Sequence, residues 1–315
     1  MFSHMDYLYE VYRQGSISKA AASLYISQPS LSASVKRVED KIGYPLFDRS
    51  TRPLQLTEIG RKYMESVLAI RRIQKDFGDY VDDFGELKAG TVRLGGTNLV
   101  ASLLAPGLIA RFHQRYPQVD IQLQEEVTSE LGDMLAEGQL DMVIDFGLSA
   151  DDSFDYLKLT DEQLVLTVPR AFPVNEGLEA CRLSIESLRA NAAGGSAVPP
   201  VPLSRFKDVP FILLTEKNDT YRHTASLFRA AGFEPLSVFE AAQQMTAYHV
   251  CCSGYGAAFV SSLLLSRVTP DVGVYYYRLE DASAFRQLAI HWKRDRYLSK
   301  AMQAFARTAV EAFEG

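Results

Sequence analysis

Residues 16–32 have the sequence SISKAAASLYISQPSLS, and this stretch decides the fold of the first part of the chain. Ser18 is the predicted cap of a short helix whose Ala20-Ala21-Ala22 run lets another helix approach closely. Ser27 is the predicted cap of a second helix, and Pro29 is tolerated in the first turn of that helix. Two short helices around a tight turn are the helix-turn-helix arrangement.

The second predicted helix has one apolar face and one polar face. Leu31, Val35, Val38 and Ile42 are spaced by four, three and four residues, which predicts that they pack inward. The polar face suits a helix that contacts base edges at its N-terminal end while flanking cations hold phosphates. The candidate DNA-contact residues on this helix are Ser27, Gln28, Pro29, Ser30, Ser32, Lys36 and Arg37. The alternative is a solvated amphipathic helix in an ordinary bundle.

A polar turn over residues 48–53 lies between two apolar flanks, Leu46-Phe47 and Leu54 to Leu56. This pattern predicts a hairpin wing after the second helix. Arg49 and Arg52 in the wing would lie along the DNA backbone or enter the minor groove. A merely solvated turn is the alternative.

The run from Ala20 to Arg49 and the segment that follows it closely resemble the DNA-binding domain of LysR-type transcriptional regulators. The resemblance is carried by SQPSLS at 27–32, GYPLFDR at 43–49 and LTEIG at 56–60. They occur in the same order and with the same spacing as in that family. One departure is Ala33, which stands where many members have a basic residue. One direct DNA contact is therefore expected to be missing at this position, and we expect Lys36 or the wing to compensate for its loss.

The net charge of the whole chain and the distribution of charge along it differ in what they indicate about a nucleic-acid partner. The chain of 315 residues has a net charge of −6, which by itself argues against nucleic acid as a partner. Residues 1–60 nevertheless hold seven cations against six anions, so this segment is +1 and the remainder is −7. A local basic patch can still guide DNA binding.

The length of the chain also exceeds that of a usual single core, so two or three domains are expected.

The three cysteines, Cys181, Cys251 and Cys252, have no metal-ligand spacing and no disulfide framework. They are compatible with a reducing cytosol. The adjacent pair could be a redox sensor, but its surroundings favour the packing of small apolar groups.

The start of the sequence has no apolar signal core, and no run is long and apolar enough for a membrane span. We therefore expect a cytoplasmic protein without a membrane partner.

A long helix is predicted from its cap, Thr57, to about Lys88. Its length exceeds what its own small domain could cover, so a homo-oligomeric partner chain is expected. Gly78 and Gly85 weaken the last third of this helix. The resemblance implies that it is the linker helix, which dimerises and sets the distance between two DNA half-sites. The alternative is a core helix in a larger bundle. The predicted coiled-coil seam consists of Ile59, Tyr63, Ser66, Ile70, Ile73, Phe77, Tyr80, Phe84 and Leu87.

From Thr91 onward, short apolar strands alternate with helical stretches, which predicts a mostly parallel sheet with helices on its faces. The strand from Gln163 to Val168 leads into a second lobe with its own alternation. Two lobes around a cleft resemble a periplasmic-binding-protein-like effector domain, as the LysR resemblance also implies. The predicted fold class is therefore α/β with an N-terminal all-α winged helix-turn-helix domain. The predicted domains are residues 1–57, the linker helix 58–88 and the effector domain 89–315, with lobe 1 over 89–163 and 266–315 and lobe 2 over 164–265.

Ligands of such sheets bind beyond the carboxyl ends of the strands, where helix N-termini present backbone N–H groups. Hydroxyl and amide side chains at those places suit a small molecule that carries a carboxylate or a similar anion. Arg222 and His223 could supply further charge. Each of these residues could instead be an ordinary helix cap or a solvated helix residue. The candidate effector-binding residues are Thr97, Asn98, Thr128, Thr215, Asn218 and Tyr221.

The sequence contains no nucleophile elbow, phosphate loop, zinc spacing or convincing His-Asp pair, so no enzyme, cofactor or metal is expected. Residues 192–202, rich in Gly and Pro, are predicted to form a surface insertion.

The expected partners are promoter DNA with a partly palindromic site, a small effector, a second copy of the chain in a dimer or tetramer, and RNA polymerase. One alternative is a two-lobed solute-binding protein or enzyme with an accessory helical bundle. Another is a constitutive DNA-binding protein whose cleft is vestigial.

Overall fold

The computed structural model describes residues 2–82, 90–148, 151–184, 187, 198–269 and 271–314. These residues divide into two units, 1–78 and 79–315. The first unit contains three helices and a short hairpin, followed by a long helix that continues past residue 78. Its elements are α1 (Met5–Gln14), α2 (Ile17–Ser23), α3 (Gln28–Ile42), β1 (Phe47–Asp48), β2 (Gln55–Leu56) and α4 (Glu58–Asp82).

The two helix starts of the helix-turn-helix are both capped by serine. Ser27 accepts a hydrogen bond from the backbone N–H of Ser30 at 3.4 Å, so its predicted role as the cap of α3 is confirmed. The cap of α2 is Ser16, which accepts from the backbone N–H of Lys19 at 3.4 Å. The prediction of Ser18 as this cap is wrong, because the helix begins two residues earlier and Ser18 already lies inside it.

The apolar face of α3 forms the centre of the first unit. Leu31, Val35 and Val38 are buried as the spacing predicts, and Ile42 is partly buried against them. Gly43 ends the helix in the left-handed conformation, with φ of 86°, and donates its N–H to the carbonyl oxygen of Glu39. Glycine adopts this conformation without the strain that a side chain would bring.

The hairpin after α3 has the predicted form of a wing. Phe47 pairs with Leu56 and Asp48 pairs with Gln55 in an antiparallel ladder. Leu46 and Phe47 are buried in the core of the unit, whereas Arg49 and Arg52 in the turn are exposed.

Helix α4 starts as predicted, because the hydroxyl of Thr57 accepts from the N–H of Gly60 at 2.9 Å. The predicted seam then divides into two parts. Tyr63 is buried in the core of the first unit, so its assignment to a surface that meets a partner chain is wrong. Ile73 and Phe77, about three and four helical turns beyond Tyr63, are 64% and 68% exposed. The remaining seam positions Phe84 and Leu87, with Gly85 and the predicted end at Lys88, lie outside the described residues.

The second unit has nine strands and six helices among its described residues. The strands are β3 (Gly90–Gly96), β4 (Val119–Glu125), β5 (Met142–Asp145), β6 (Phe154–Pro169), β7 (Pro210–Leu214), β8 (Leu236–Ala241), β9 (Ala257–Ser261), β10 (Val274–Arg278) and β11 (Phe285–Lys293). The helices are α5 (Ala105–Arg115), preceded by a π-helical turn over Val100–Leu104, α6 (Thr128–Ala136), α7 (Asp219–Ala231), α8 (Gln244–Cys252), α9 (Ser262–Arg267) and α10 (Lys300–Glu314).

The strand order is β4-β3-β5-β11-β6-β9-β7-β8, and β10 also pairs with β6. Strands β3 and β7 have parallel neighbours on both sides, whereas every pair that involves β6 or β11 is antiparallel. The sheet is therefore mixed rather than mostly parallel.

One strand, β6, belongs to both lobes. Residues 154–163 of β6 pair with β11 of lobe 1, and residues 164–169 pair with β9 and β10 of lobe 2. The predicted strand covered only the second half, from Gln163, because the first half is polar at several positions. Strand β10 lies on the second half of β6, so the chain returns to lobe 1 with β11 at Phe285 and not near residue 266.

The predicted insertion at 192–202 is described only at its end. There Val201 is buried and donates its N–H to the carbonyl oxygen of Arg278 at 2.8 Å. This end of the segment is therefore anchored in lobe 2, and the prediction of a surface insertion is wrong for it.

The cysteine pair lies in α8, as the packing interpretation predicts. Cys251 is fully buried and Cys252 is half-buried. Burial raises the pKa of the Cys251 thiol, and burial raises the pKa of Cys252 to about 11. Since the thiolate is the reactive form, neither environment favours a redox sensor.

Among the described residues, none of the helices has the length and apolar character that crossing a bilayer requires.

Candidate DNA-binding surface and ligand cleft

The predicted DNA-contact residues lie at the surface of the first unit. Ser27 and the first residues of α3 are exposed where this helix begins, and Lys36 and Arg37 are exposed further along the same helix. Ser32 is half-buried. The exposed members of the set are Ser27, Gln28, Pro29, Ser30, Lys36, Arg37, Arg49 and Arg52. This surface combines polar groups at a helix start with cations from a helix and a wing, as DNA contact requires.

A buried carboxylate holds the wing against α3. The side chain of Glu39 accepts hydrogen bonds from the backbone N–H groups of Leu46 at 2.8 Å and Phe47 at 3.3 Å. Its second oxygen forms an ion pair with Arg49 at 3.0 Å. Sequence reasoning missed Glu39, although its position between Val35 and Ile42 at helical spacing places it beside the apolar face.

An exposed aromatic residue adjoins the same surface. Tyr25 lies in the turn between α2 and α3, is 96% exposed and has a φ of 55°, in the left-handed region. Sequence reasoning did not single it out, because a tyrosine in an apolar segment ordinarily indicates a core residue. Its place two residues before Ser27 adds it to the candidate surface.

The second unit has a cleft between its two lobes, where four of the six predicted effector residues come together. Two adjoining cavities occupy the cleft, with empty volumes of ≈ 380 and ≈ 590 Å³ including space open to solvent. Thr97, Asn98, Thr128 and Asn218 line both cavities. They meet there because the first three follow the ends of β3 and β4, whereas Asn218 precedes α7 from the other lobe.

The other two predicted residues lie elsewhere. Thr215 is not among the lining residues of the cleft; its N–H donates to the carbonyl oxygen of Ala241 at 3.1 Å. Tyr221 lines a different cavity together with Leu213 and Phe228. Tyr221 is two residues beyond Asp219 on α7, and a step of two residues on a helix turns the side chain to another face.

The wall of the cleft contains a cluster of buried charges that sequence reasoning missed. Arg286 on β11 donates from Nε to Glu162 on β6 at 2.8 Å and makes a second contact with the same oxygen through Nη2. Its Nη1 lies 3.4 Å from the carboxylate of Asp219 and donates to the hydroxyl of Thr220 at 2.9 Å. A residue of lobe 1 thereby holds the start of α7 in lobe 2.

Asp145 completes this charge cluster, which we define as Asp145, Glu162, Asp219 and Arg286. The carboxylate of Asp145 accepts from the hydroxyl of Thr128 at 3.1 Å and from the N–H of Gly147 at 2.6 Å. It is fully buried, and burial raises its pKa to about 6. Asp145 is the last residue of the buried strand β5, so the rule about strand ends that selected Thr97 could have found it.

Asp219 stays ionised at the start of α7. Burial would raise its pKa, but the hydrogen bond from His223 and the charge of Arg286 hold the pKa below its ordinary value. The distance from Nδ1 of His223 to the Asp219 carboxylate is 3.3 Å. His223 thus contacts the charge cluster, whereas the neighbouring Arg222 is exposed.

A winged helix-turn-helix unit and a two-lobed α/β unit with a polar cleft define a class of proteins, the ligand-responsive DNA-binding regulators. Residues 2–61 match the family model described as bacterial regulatory helix-turn-helix protein, lysR family. Residues 85–314 match the LysR substrate binding domain. The chain belongs to the LysR family of transcriptional regulators. It is therefore a regulator with a DNA-binding domain and an effector-binding domain, rather than an enzyme or a solute-binding protein.

Relatives and solved structures of similar architecture agree with this assignment. An uncharacterized HTH-type transcriptional regulator of Bacillus subtilis strain 168, YcgK, is 30% identical over 310 residues, which cover 98% of this chain and 94% of the relative. A probable RuBisCO transcriptional regulator of Porphyra purpurea is 28% identical, covering 96% and 90% of the two chains. A full-length OxyR variant from Pseudomonas aeruginosa has a TM-score of 0.71 at 21% identity, covering 98% and 94%. The LysR regulator CbnR has a TM-score of 0.61 at 17% identity over the full length of both chains. The structural likenesses show a shared fold.

Proposed function

We propose that this regulator binds promoter DNA through the start of α3 and through the wing. Ser27, Gln28, Pro29, Ser30 and Ser32 would contact base edges and the adjacent backbone. Lys36, Arg37, Arg49 and Arg52 would hold phosphates. The observation that carries the proposal is the attachment of the wing to α3 through Glu39, because it joins the wing to the helix that has the other candidate contacts.

The protein would act as a homodimer through α4. Ile73 and Phe77 are four residues apart on this helix and are largely exposed. Apolar side chains at such spacing form the seam between paired helices. Two copies would then reach the two halves of a partly palindromic site. A tetramer would be formed by two such dimers, as the resemblance to the family implies.

The cleft would bind a small effector through Thr97, Asn98, Thr128 and Asn218. Helix α6 begins in the cleft without a side-chain cap, because Val127 occupies the N-cap position and the hydroxyl of Thr128 donates to Asp145 instead. A helix start of this kind attracts an acceptor such as a carboxylate. This supports the predicted carboxylate-bearing effector.

Effector binding would change transcription only if the effector binds one arrangement of the lobes better than another. The shift would alter the spacing of the two DNA-binding domains and the contact of the complex with RNA polymerase. The protein would carry out this role in the cytoplasm.

A nuclease footprint on the DNA upstream of the gene tests the proposal. The full-length protein should protect an extended region with two spaced half-sites. Replacement of both wing arginines, Arg49→Ala and Arg52→Ala, should weaken protection, and protection by the unmodified protein should weaken steeply with salt, because phosphate contacts release counterions. The matched control replaces Arg13 and Lys62, two exposed cations outside the candidate surface, by Ala.

Equal loss of protection in the control variant would contradict the assignment of the wing arginines. Protection that no small molecule in a cell extract alters would contradict the effector role of the cleft and favour a constitutive DNA-binding protein. Folded protein that protects no DNA anywhere in the genome would contradict the DNA-binding proposal itself.

A further inference from the structure

The cleft carries more buried negative charge than positive charge. In the charge cluster, three carboxylates stand against one guanidinium, and all four residues are buried. Asp145 and Asp219 line the cavity itself, and Glu162 lies behind Arg286. A buried charge interacts far more strongly with a ligand than an exposed charge does, because water screens it less.

Arg286 is already committed to protein groups. Among the described residues that line the two cavities of the cleft, it is the only cation. Its guanidinium donates to Glu162 and Thr220 and lies near Asp219, while its Cζ lies over the ring of Phe146, 4.4 Å from the ring centre. A ligand carboxylate would have to compete with two protein carboxylates for this one side chain.

The rim of the cleft is also acidic. Glu125 and Glu126 line the larger cavity and are exposed. Glu125 accepts a hydrogen bond from the side-chain amide of Asn98 at 2.9 Å. A purely anionic ligand would therefore meet carboxylates both at the rim and in the wall.

Asp145 is a buried carboxylate without an ion-pair partner among the described residues. Its contacts are a hydroxyl from Thr128 and one backbone N–H from Gly147. It lines the smaller of the two cavities, where a cation from a ligand would neutralise it. This unpaired acid is a second observation, independent of the acidic rim, that indicates a positively charged group on the ligand.

We propose that the effector carries a protonated amine beside its carboxylate and belongs to the α-amino acids. The proposal rests on the effector role of the cleft proposed above. The carboxylate would take the backbone N–H groups at the start of α6, including that of Thr128, together with Thr97, and the ammonium group would donate toward Asp145 and Asp219. The carboxylate of the ligand would then meet hydrogen-bond donors at the helix start, and its ammonium group would meet protein carboxylates.

The test compares matched pairs of compounds on the full-length protein near neutral pH. Each standard L-amino acid is paired with the carboxylic acid that results when its α-amino group is replaced by hydrogen. Thermal shift and calorimetric titration should find at least one amino acid that binds about tenfold tighter, or more, than its partner.

Three variants connect this preference to the cleft. Asp219→Asn should reduce the preference for the amino form. Because this residue also lies at the start of α7, Glu126→Gln at the exposed rim provides a second variant that leaves the buried network intact, and it should also reduce the preference. Asp133→Asn, an exposed acid on α6 outside the cavity lining, should leave the preference unchanged.

Binding of the amine-free acids as tightly as the amino acids would overturn the proposal, and so would binding of no amino acid at all. A carboxylic acid without an amine that binds and alters the DNA footprint would overturn this inference and leave the effector role of the cleft standing. Loss of every ligand effect on the footprint would instead contradict the effector role.

Discussion

The carboxylate of Glu39 on α3 accepts a hydrogen bond from the backbone N–H of Leu46 at 2.8 Å and thereby sets where the wing begins. Glu39→Ala would leave this buried N–H and that of Phe47 without their acceptor. We expect the free energy of unfolding to fall by about 1–3 kcal/mol and DNA affinity to fall with it. Thermal unfolding and a DNA-binding titration measure both effects.

Two comparison variants make this prediction specific. Glu39→Gln keeps an acceptor oxygen but loses the ion pair with Arg49, so its effect should be smaller than that of Glu39→Ala. Asp40→Ala changes the neighbouring exposed acid and should leave the stability nearly unchanged. An equal loss in Asp40→Ala and Glu39→Ala would contradict a positioning role for Glu39.

Two glycines in α4 should respond to alanine in opposite directions. A Cβ atom at Gly60 would lie 1.9 Å from the carbonyl oxygen of Leu46, so the helix or the wing must move. We expect Gly60→Ala to destabilise the protein by about 1–3 kcal/mol. A Cβ atom at Gly78 meets nothing within 4 Å, so Gly78→Ala should stabilise the helix by about 1 kcal/mol. Denaturant unfolding of both variants measures the difference, and the same sign of change in both would refute the packing argument.

Removal of Arg286 should be among the most destabilising single changes in the second unit. Arg286→Met leaves the buried carboxylates of Glu162 and Asp219 without the cation that both of them contact, and such a loss costs about 3–5 kcal/mol. Arg294→Met removes an exposed ion pair with Asp155 and should cost no more than about 1 kcal/mol. Calorimetric unfolding compares the two variants. Similar losses from both would show that the buried cluster does not depend on its cation.

The raised pKa of Asp145 predicts a specific dependence of stability on pH. Its pKa is about 6 when folded, against an ordinary value of 3.8, so the folded state binds the proton more tightly than the unfolded state. Asp145 therefore lowers the stability progressively as the pH rises from about 4 to about 6, and the full loss remains above that range. The loss at neutral pH is on the order of 3 kcal/mol.

The variant Asp145→Asn cannot titrate and isolates this contribution. Thr128, the Gly147 N–H, Asp219 and Arg286 face the side chain and stay the same in both proteins. The gap in unfolding temperature between Asp145→Asn and the unmodified protein should widen in favour of the variant between about pH 4 and pH 6. A gap that is constant over this range would contradict the raised pKa.

The exposed end of α4 should control the oligomeric state. Phe77→Glu places a charge in the proposed seam and should weaken dimerisation by about tenfold or more, as measured by sedimentation velocity. Gln74→Glu introduces the same charge at an exposed polar position of the same helix and serves as the control. A dimer that tolerates Phe77→Glu would place the interface elsewhere.

Local signals predicted the first unit well because its decisive contacts join residues that are close in sequence. Ser27, Gly43 and Thr57 each act on a residue three or four positions away. The misplaced cap at Ser18 shows the limit of such signals, since two serines two residues apart have the same chemistry. Only the extended backbone of Ser16 shows which of them begins the helix.

The cleft was predictable only in part. Thr97 and Thr128 follow strand ends and could be placed from the pattern of the sheet. Arg286 contacts Glu162 and Asp219, which are 124 and 67 residues away, and no local pattern connects residues at such separations. The acidic character of the cleft follows from these long-range contacts, and for this reason sequence reasoning considered only the anionic group of an effector.

Lobe 2 has a property that follows from the shared strand β6. The chain enters this lobe at Val165 and leaves it at Arg278, and these two residues are paired across neighbouring strands. The lobe is thus one continuous insertion whose ends lie side by side, and such segments are the ones that tolerate exchange between related proteins. A chimaera that receives residues 165–278 from a relative would change one wall of the cleft while keeping the other wall and the entire DNA-binding unit. The fold therefore allows one half of the ligand specificity to be replaced as a single cassette, independently of the DNA sequence that the regulator recognises.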